Sequence, residues 1–259
     1  MNILEKIIEH KKIEVKNRKE KVSVNELEKL NFFGRKTFSL KQFLHDESKT
    51  GIIAEFKKKS PSKGIINANA SVASVTEAYA KFASGISVLT DDEFFGGNMI
   101  DLQQARFNNI PILRKDFMID EYQIIEAKAI GADVILLIAA CLKPAQVKSF
   151  AATAKKLGME VLLEIHNGEE LNYLCDEVDM VGINNRNLKN FEVDIETSIH
   201  LFQKIPKQKT VIAESGIKNV ETIKGLRSAG FKGFLIGETF MKENNPAVAF
   251  ENFINKLKA

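Results

Sequence analysis

Along the N-terminal stretch apolar residues recur every three or four positions. Ile3, Leu4, Ile7, Ile8, Ile13 and Val15 stand among lysines and glutamates, the spacing of one amphipathic helix. After a polar stretch, SLKQFLHD at residues 39–46 predicts a second short helix. From Gly51 onward the pattern changes to short β-branched or leucine-rich runs alternating with helical stretches. It predicts strands over 51–56, 86–90, 111–115, 133–138, 160–164, 179–184, 210–214 and 233–237. Helices are expected between and after them, over 71–83, 99–108, 120–130, 143–157, 168–175, 194–203, 219–229 and 246–257. Gly85, Gly131, Gly158 and Gly230 each stand between a helix and the next strand, where glycine supplies the left-handed residue that ends a helix.

Strands alternating with helices make a parallel α/β fold. Eight such units without a break in composition predict a (β/α)8 TIM barrel as a single domain over 1–259, with residues 1–48 as an N-terminal helical extension. An open doubly wound sheet is the alternative, but no Gly-x-Gly-x-x-Gly follows the first strand.

Composition narrows the function classes. A 259-residue chain with 44% hydrophobic and 27% charged residues has the usage of a globular protein with a sizeable core. Its net charge of +3 comes from signs mixed along the chain, so neither a nucleic-acid surface nor a membrane surface is expected. No apolar run approaches the ~20 residues that span a bilayer. Cys141 and Cys175 lack CxxC spacing and read as small buried hydrophobes in a reducing cytoplasm.

In such a barrel chemistry gathers at the C-terminal ends of the strands. Glu55 and Lys57 lie two apart on the first strand, so both can face the axis. They read either as an acid/base pair or as a structural ion pair. Lys115 ends the third strand, where a lone lysine is usually solvated. Glu164 ends the fifth; Asn184 and Arg186 end the sixth. Ser215-Gly216 and Gly237-Glu238 follow the seventh and eighth strands, the pair of loops where many barrels hold a phosphate. The many phenylalanines read as core; for Phe94, Phe95 and Phe117, in mouth loops, stacking on a flat ligand is the alternative. His10, His45, His166 and His200 have no metal spacing and read as surface or helix residues, and Asp91-Asp92-Glu93 as a solvated loop. No metal site and no cofactor motif is expected.

The blocks IIAEFKKKSPSKG, ILRKDFMIDEYQI, LLEIHN, VGINNRNL, VIAESGI and FLIGETFM occur in order at successive strands. Together they resemble the indole-3-glycerol-phosphate synthase family of tryptophan biosynthesis, over about residues 3–257 and including the helical extension. The resemblance implies a lyase that closes 1-(2-carboxyphenylamino)-1-deoxyribulose 5-phosphate to indole-3-glycerol phosphate, losing carbon dioxide and water without a cofactor. It also implies roles: Lys115 as general acid, Glu164 as general base, Lys57 on the substrate carboxylate, Glu55 orienting it, and Asn184 at the reacting centre. Arg186 and Glu214 would support this network. Ser215, Gly216, Gly237 and Glu238 would hold the phosphate with Ser60 nearby, and Phe117 would lie against the anthranilate ring. How Glu55, Lys57, Lys115 and Glu164 divide the acid and base work stays open, as does the role of Lys58, Lys59 and Lys63. Glu238 stands where some relatives carry Ser, which fits a phosphate only if its carboxylate turns away. The chain ends after the eighth helix, so a monofunctional protein is expected. It is expected to be a cytoplasmic monomer acting on a phosphorylated small molecule, with other tryptophan-pathway enzymes as candidate partners. A phosphoribosylanthranilate isomerase would not need this Lys/Glu set, and a non-catalytic phosphosugar-binding barrel would not need Lys115 or Glu164.

Overall fold

The structure, a computed structural model, describes residues 2–186 and 192–259. The eight apolar runs form eight parallel strands: β1 (Ile52–Phe56), β2 (Gly85–Leu89), β3 (Ile112–Lys115), β4 (Val134–Ile138), β5 (Glu160–Ile165), β6 (Met180–Asn184), β7 (Thr210–Glu214) and β8 (Gly233–Ile236). Each pairs with its neighbours in sequence, and β1 closes the barrel against β8 with Ile53 opposite Leu235. Every expected strand is present to within one residue at either end.

Alternation sorts the side chains of each strand. Ile52, Ala54 and Phe56 of β1 point outward and pack with Tyr79, Phe240 and Phe250 of the surrounding helices. Ile53, Leu113, Val134, Leu136, Leu162, Met180, Ile212 and Leu235 point inward and fill the barrel, with Leu40 and Leu44 of helix Leu40–His45 as its floor. Gly131, Gly158 and Gly230 have the expected positive φ, but Gly85 lies inside β2 and does not. A Cβ on Gly85 would stand 2.6 Å from Leu40 Cδ1, so its requirement is room for the floor helix rather than a left-handed turn.

The helix expected at 168–175 is instead a 3-10 turn, Glu169–Tyr173. Asn167 Oδ1 accepts hydrogen bonds from the backbone N–H groups of Glu169 (2.9 Å) and Glu170 (3.1 Å), while a Glu170 carboxylate oxygen accepts from His166 N at 2.7 Å. These local side-chain bonds compete with an α-helical start. Short helices at Val24–Leu27, Asp92–Phe95 and Glu238–Met241 carry no visible periodicity in the sequence. The loop after β1 is a small hairpin in which Lys59–Ser60 pairs with Gly64–Ile65.

Helix Ile3–Lys21 opens with a capping box between Asn2 and Glu5 and buries Ile7, Lys11 and Val15, one residue per turn. Ile13, two residues past Lys11, faces away and is 62% exposed. Lys11 is fully buried. Its Nζ lies 2.7 Å from Glu14 Oε2, 2.8 Å from Asp91 Oδ2 and 2.9 Å from Asp116 Oδ1. Asp91, expected in a solvated loop, is buried too and caps helix Asp92–Phe95, leaving only Asp92 and Glu93 in solvent. Asp116 in turn accepts from Arg114 (3.1 Å) and Thr90 Oγ1 (2.7 Å), and Arg114 donates to Glu126 (2.8 Å), which also accepts from Arg18 (2.6 Å). The helix is thus tied by charge to the strand that ends in Lys115. Against the cost of burial, Lys11 and Arg114 hold Asp116 well below the ordinary carboxylate range. Its contribution to stability is complete above the unfolded value of ~3.9 and is lost as pH falls through the lower folded value.

Lys11→Met leaves Asp91 buried without its cation and Asp116 with Arg114 alone, and is expected to lower unfolding stability by about 3–5 kcal/mol, read from urea midpoints at neutral pH. A wild-type midpoint would mean that the helix is not fastened by this residue.

Candidate active site

Five strands present their last inward position to the barrel mouth: Glu55 from β1, Lys115 from β3, Glu164 from β5, Asn184 from β6 and Glu214 from β7. They line one cavity of ≈ 540 Å³. Its apolar lining is made by Leu136, Ile138 and Leu235, on strands that alternate with the charged ones around the barrel, by Phe95 and Phe117, and by Ile3, Leu4 and Ile7 of the N-terminal helix. Phe95 and Phe117 are tilted at 39° with their centroids 5.9 Å apart. The mouth therefore offers apolar and aromatic surface beside strongly charged groups.

The charged groups contact one another across the barrel mouth. Lys115 Nζ donates to Glu164 Oε2 at 2.8 Å and lies 3.3 Å from Glu214 Oε2. Lys115 is thus enclosed rather than solvated. Asn184 Nδ2 donates to the other Glu164 oxygen at 3.0 Å. Lys57, just past the end of β1, pairs with Glu55 at 2.8 Å, so the expected alternation holds. Burial opposes the charge on Lys115, but Glu164, Glu214 and Glu55 keep it protonated and above the ordinary lysine value. Glu164 is held well below the carboxylate range by Lys115 and His166 despite its burial. Glu214 goes the other way: burial, reinforced by Glu164 and Glu55, pushes it up to about 7. Two carboxylates on one ammonium thus differ in basicity, the arrangement that separates acid from base roles.

Glycine makes room for two of these groups. A Cβ on Gly182 of β6 would collide with Glu214 Oε1, and one on Gly237 would stand 2.7 Å from Glu55 Oε1. Gly237 is expected from the sequence at a phosphate loop, whereas Gly182 carries no chemistry and escapes such a reading; its signal is a glycine inside an apolar strand.

Around the rim, Arg186 donates to Ser62 Oγ at 2.8 Å and to Glu238 Oε2 at 3.4 Å. The Glu238 carboxylate is therefore turned toward a cation. Ser215 and Gly216 take successive positive φ values of 67° and 75°. Asn185 braces this turn by donating to Ser215 O at 2.7 Å. Ser215 is the one non-glycine residue with positive φ among the described residues, a strained backbone of the kind found at ligand sites. Ser60 Oγ, Arg186 Nε and Glu214 Oε1 are buried with no hydrogen-bond partner among the described residues. Lys58 is paired with Asp101 at 2.9 Å and Lys59 donates to Glu93 O at 2.6 Å, which leaves Lys63 at the cavity with Lys218 and Lys242.

His166 is not the surface residue its lack of metal spacing suggests: its Nε2 lies 3.2 Å from Glu164 Oε1. Its position two residues beyond the inward Glu164, in the same alternation, is the signal in the sequence. No group of three or more His, Cys, Asp and Glu residues with metal-binding geometry occurs among the described residues. The last two residues of VGINNRNL, Asn187 and Leu188, lie outside the described residues.

The family model for indole-3-glycerol phosphate synthase matches residues 4–253. Proteins with that name are similar over nearly the whole chain. The one from Bacteroides thetaiotaomicron is 46% identical, covering 99% of each chain, and the one from Caldanaerobacter subterraneus subsp. tengcongensis is 44% identical, again covering 99% of each. The Polynucleobacter asymbioticus protein is 42% identical over 96% of this chain and 97% of its own. Among solved structures, a chain of the Pyrococcus furiosus tryptophan synthase a2b2 complex superposes with a TM-score of 0.61 at 19% identity, covering 81% of this chain and 98% of that one. Thiamine phosphate pyrophosphorylase from P. furiosus gives 0.60 at 15% identity, covering 85% and 98%. At such identities these two share the barrel alone. The charged mouth of an eight-stranded barrel, the family match and the near-full-length relatives lead to one conclusion: this chain belongs to the indole-3-glycerol phosphate synthase family and is a ring-closing, decarboxylating lyase.

Proposed function

We propose that Lys115 is the acid and Glu164 the base of this ring closure, with the substrate's aromatic ring against Phe117 and its phosphate at the loops after β7 and β8. The observation that carries the assignment is the Lys115 ammonium between two carboxylates of opposite tendency, Glu164 held ionised and Glu214 pushed up to about 7.

In 1-(2-carboxyphenylamino)-1-deoxyribulose 5-phosphate the ring carbon that bears the carboxylate attacks the ketone carbon. Lys115 donates a proton to the ketone oxygen, which becomes a hydroxyl. Carbon dioxide then leaves, and its bonding electrons restore the aromatic ring. The hydroxyl departs as water with a proton from Lys57, and Glu164 removes the remaining proton from the carbon beside the nitrogen, giving indole-3-glycerol phosphate. Glu55 orients Lys57, and Lys57 holds the substrate carboxylate until it is lost. Asn184 aligns Glu164.

The phosphate reading draws support from the strained Ser215-Gly216 turn and from Gly237 and Glu238 on the neighbouring loop. The unpartnered Ser60 Oγ and Arg186 Nε, with Lys63, Lys218 and Lys242 at the same cavity, favour an anionic ligand. The Glu238 carboxylate turned to Arg186 removes the objection that this position carries an acid. We further place the chain in tryptophan biosynthesis in the cytoplasm, the latter on its two free cysteines, and read residues 1–48 and the barrel as one unit, joined through Lys11. No helix among the described residues is long and apolar enough to cross a membrane.

Purified protein mixed with the carboxyphenylamino-deoxyribulose phosphate in metal-free buffer is expected to generate indole fluorescence, and Lys115→Ala to cut kcat by at least ~10²-fold while substrate still binds. Absence of product from the wild type would contradict the reaction; near-wild-type turnover in the variant would remove Lys115 from the acid role. A second prediction concerns stability. Glu214 in the folded protein stays protonated above its unfolded value of ~4.3 and up to about 7. It therefore lowers stability progressively as pH rises through that interval. Glu214→Gln is expected to gain stability relative to wild type between those pH values while losing activity, as read by thermal unfolding at pH 4 and pH 8; a pH-independent difference would contradict the raised value.

A further inference from the structure

We propose that His166, held by Glu170, is a positioning residue for Glu164: a second cation against the carboxylate that accepts the last proton. The proposal rests on the reading of Glu164 as base. His166 does not line the cavity, so it acts through Glu164 rather than on the substrate.

The imidazole lies between two carboxylates at ion-pair distance, with its Nε2 buried and making no hydrogen bond among the described residues. Glu164 Oε2 takes the Lys115 hydrogen bond, while Oε1 accepts from Asn184 and lies 3.2 Å from His166 Nε2. The far edge of the ring, Nδ1, lies 3.4 Å from Glu170 Oε2, the same oxygen that accepts the His166 backbone N–H at 2.7 Å. The second Glu170 oxygen accepts from Asn167 Nδ2 at 3.2 Å. Both side chains are largely buried, at 11% and 12% exposure. The 3-10 turn that replaces the expected helix after β5 is built around this carboxylate, and so exists in the form that delivers Glu170 to His166.

The need for a second cation follows from the reaction. When Lys115 gives its proton to the ketone oxygen, its charge vanishes. Glu164, buried and within the field of Glu214 and Glu55, would then be an uncompensated anion and would rise in basicity until it took up a proton. A carboxyl group protonated at that stage cannot remove the last substrate proton. A cationic His166 keeps Glu164 ionised through the interval in which Lys115 is neutral. The groups facing this pair are Lys115 from β3, Asn184 from β6, Glu170 and Asn167 from the turn, and Cys141 from the turn after β4. Glu214 and Glu55 stand beyond Lys115. Burial keeps the Cys141 thiol above its ordinary value and neutral, so it does not compete. Although burial opposes its charge, Glu164 and Glu170 raise His166 to about 9, so the ring is charged at neutral pH.

The test is the pH dependence of kcat for wild type, His166→Asn and Glu170→Gln, with the His166 ring followed by NMR titration. His166→Asn is expected to move the acidic limb of kcat up by about one pH unit, the lower end of the shift a neighbouring charge produces. KM should stay within about 2-fold, and raising the pH should recover part of the lost kcat. Glu170→Gln should shift the limb the same way by less and bring the ring titration down toward ~6.5. A kcat loss equal at every pH, or an unmoved limb in both variants, overturns the proposal, as does a wild-type ring that already titrates near ~6.5. Glu164→Gln separates the two readings: if it stays active, Glu164 is not the base; if it is inactive while the His166 and Glu170 profiles are unmoved, only the positioning role fails.

Discussion

Lys115 carries a positive charge where burial alone would remove it, and the three carboxylates around it decide the outcome. Glu164 and Glu214 contact the ammonium directly, and Glu55 reinforces them from β1. Much of the molecule serves this contact. Parallel strands bring the three acids to one level because each occupies the last inward position of its strand. Gly182 and Gly237 leave the volume that the Glu214 and Glu55 side chains occupy. Asp116, the residue after Lys115, is anchored in turn to Lys11 of the N-terminal helix, so the same helix that supplies Ile3, Leu4 and Ile7 to the cavity is fixed to the strand bearing Lys115.

Such a cluster is costly as structure and useful as chemistry. Buried like charges push one carboxyl group toward its neutral form while a shared cation keeps the other ionised. Glu214 and Glu164 divide in this way. The apolar residues that line the cavity around these groups lower the local dielectric and sharpen that division. The same barrel in the P. furiosus proteins, at identities of 19% and below, makes the point from the other side: the fold supplies strand ends and a mouth, and the residues placed there supply the reaction.

Much of this is legible in the sequence, for identifiable reasons. The strands are runs of β-branched and leucine residues bounded by polar turns, so their ends fall within one residue of the expected positions. The period of two along a strand is enough by itself to put Glu55 and Lys57 on one side. What stays hidden depends on partners remote in the chain. Lys11 looks like any lysine on an amphipathic helix, because Asp91 and Asp116 reach it only in the folded barrel. Arg114 and Gly182 sit inside strands whose apolar neighbours mask them. His166 has no metal spacing, and its meaning comes from a turn whose side-chain bonds override the helical pattern.

The proposed division of labour between an early acid and a late base would make the two products separable in time. The most direct test is a single turnover by Glu164→Gln of substrate labelled in its carboxyl carbon, counting labelled carbon dioxide against indole fluorescence. If Lys115 drives ring closure and Glu164 acts only after decarboxylation, the variant releases carbon dioxide without forming indole. Loss of both products together, or formation of both at the wild-type ratio, would contradict that order.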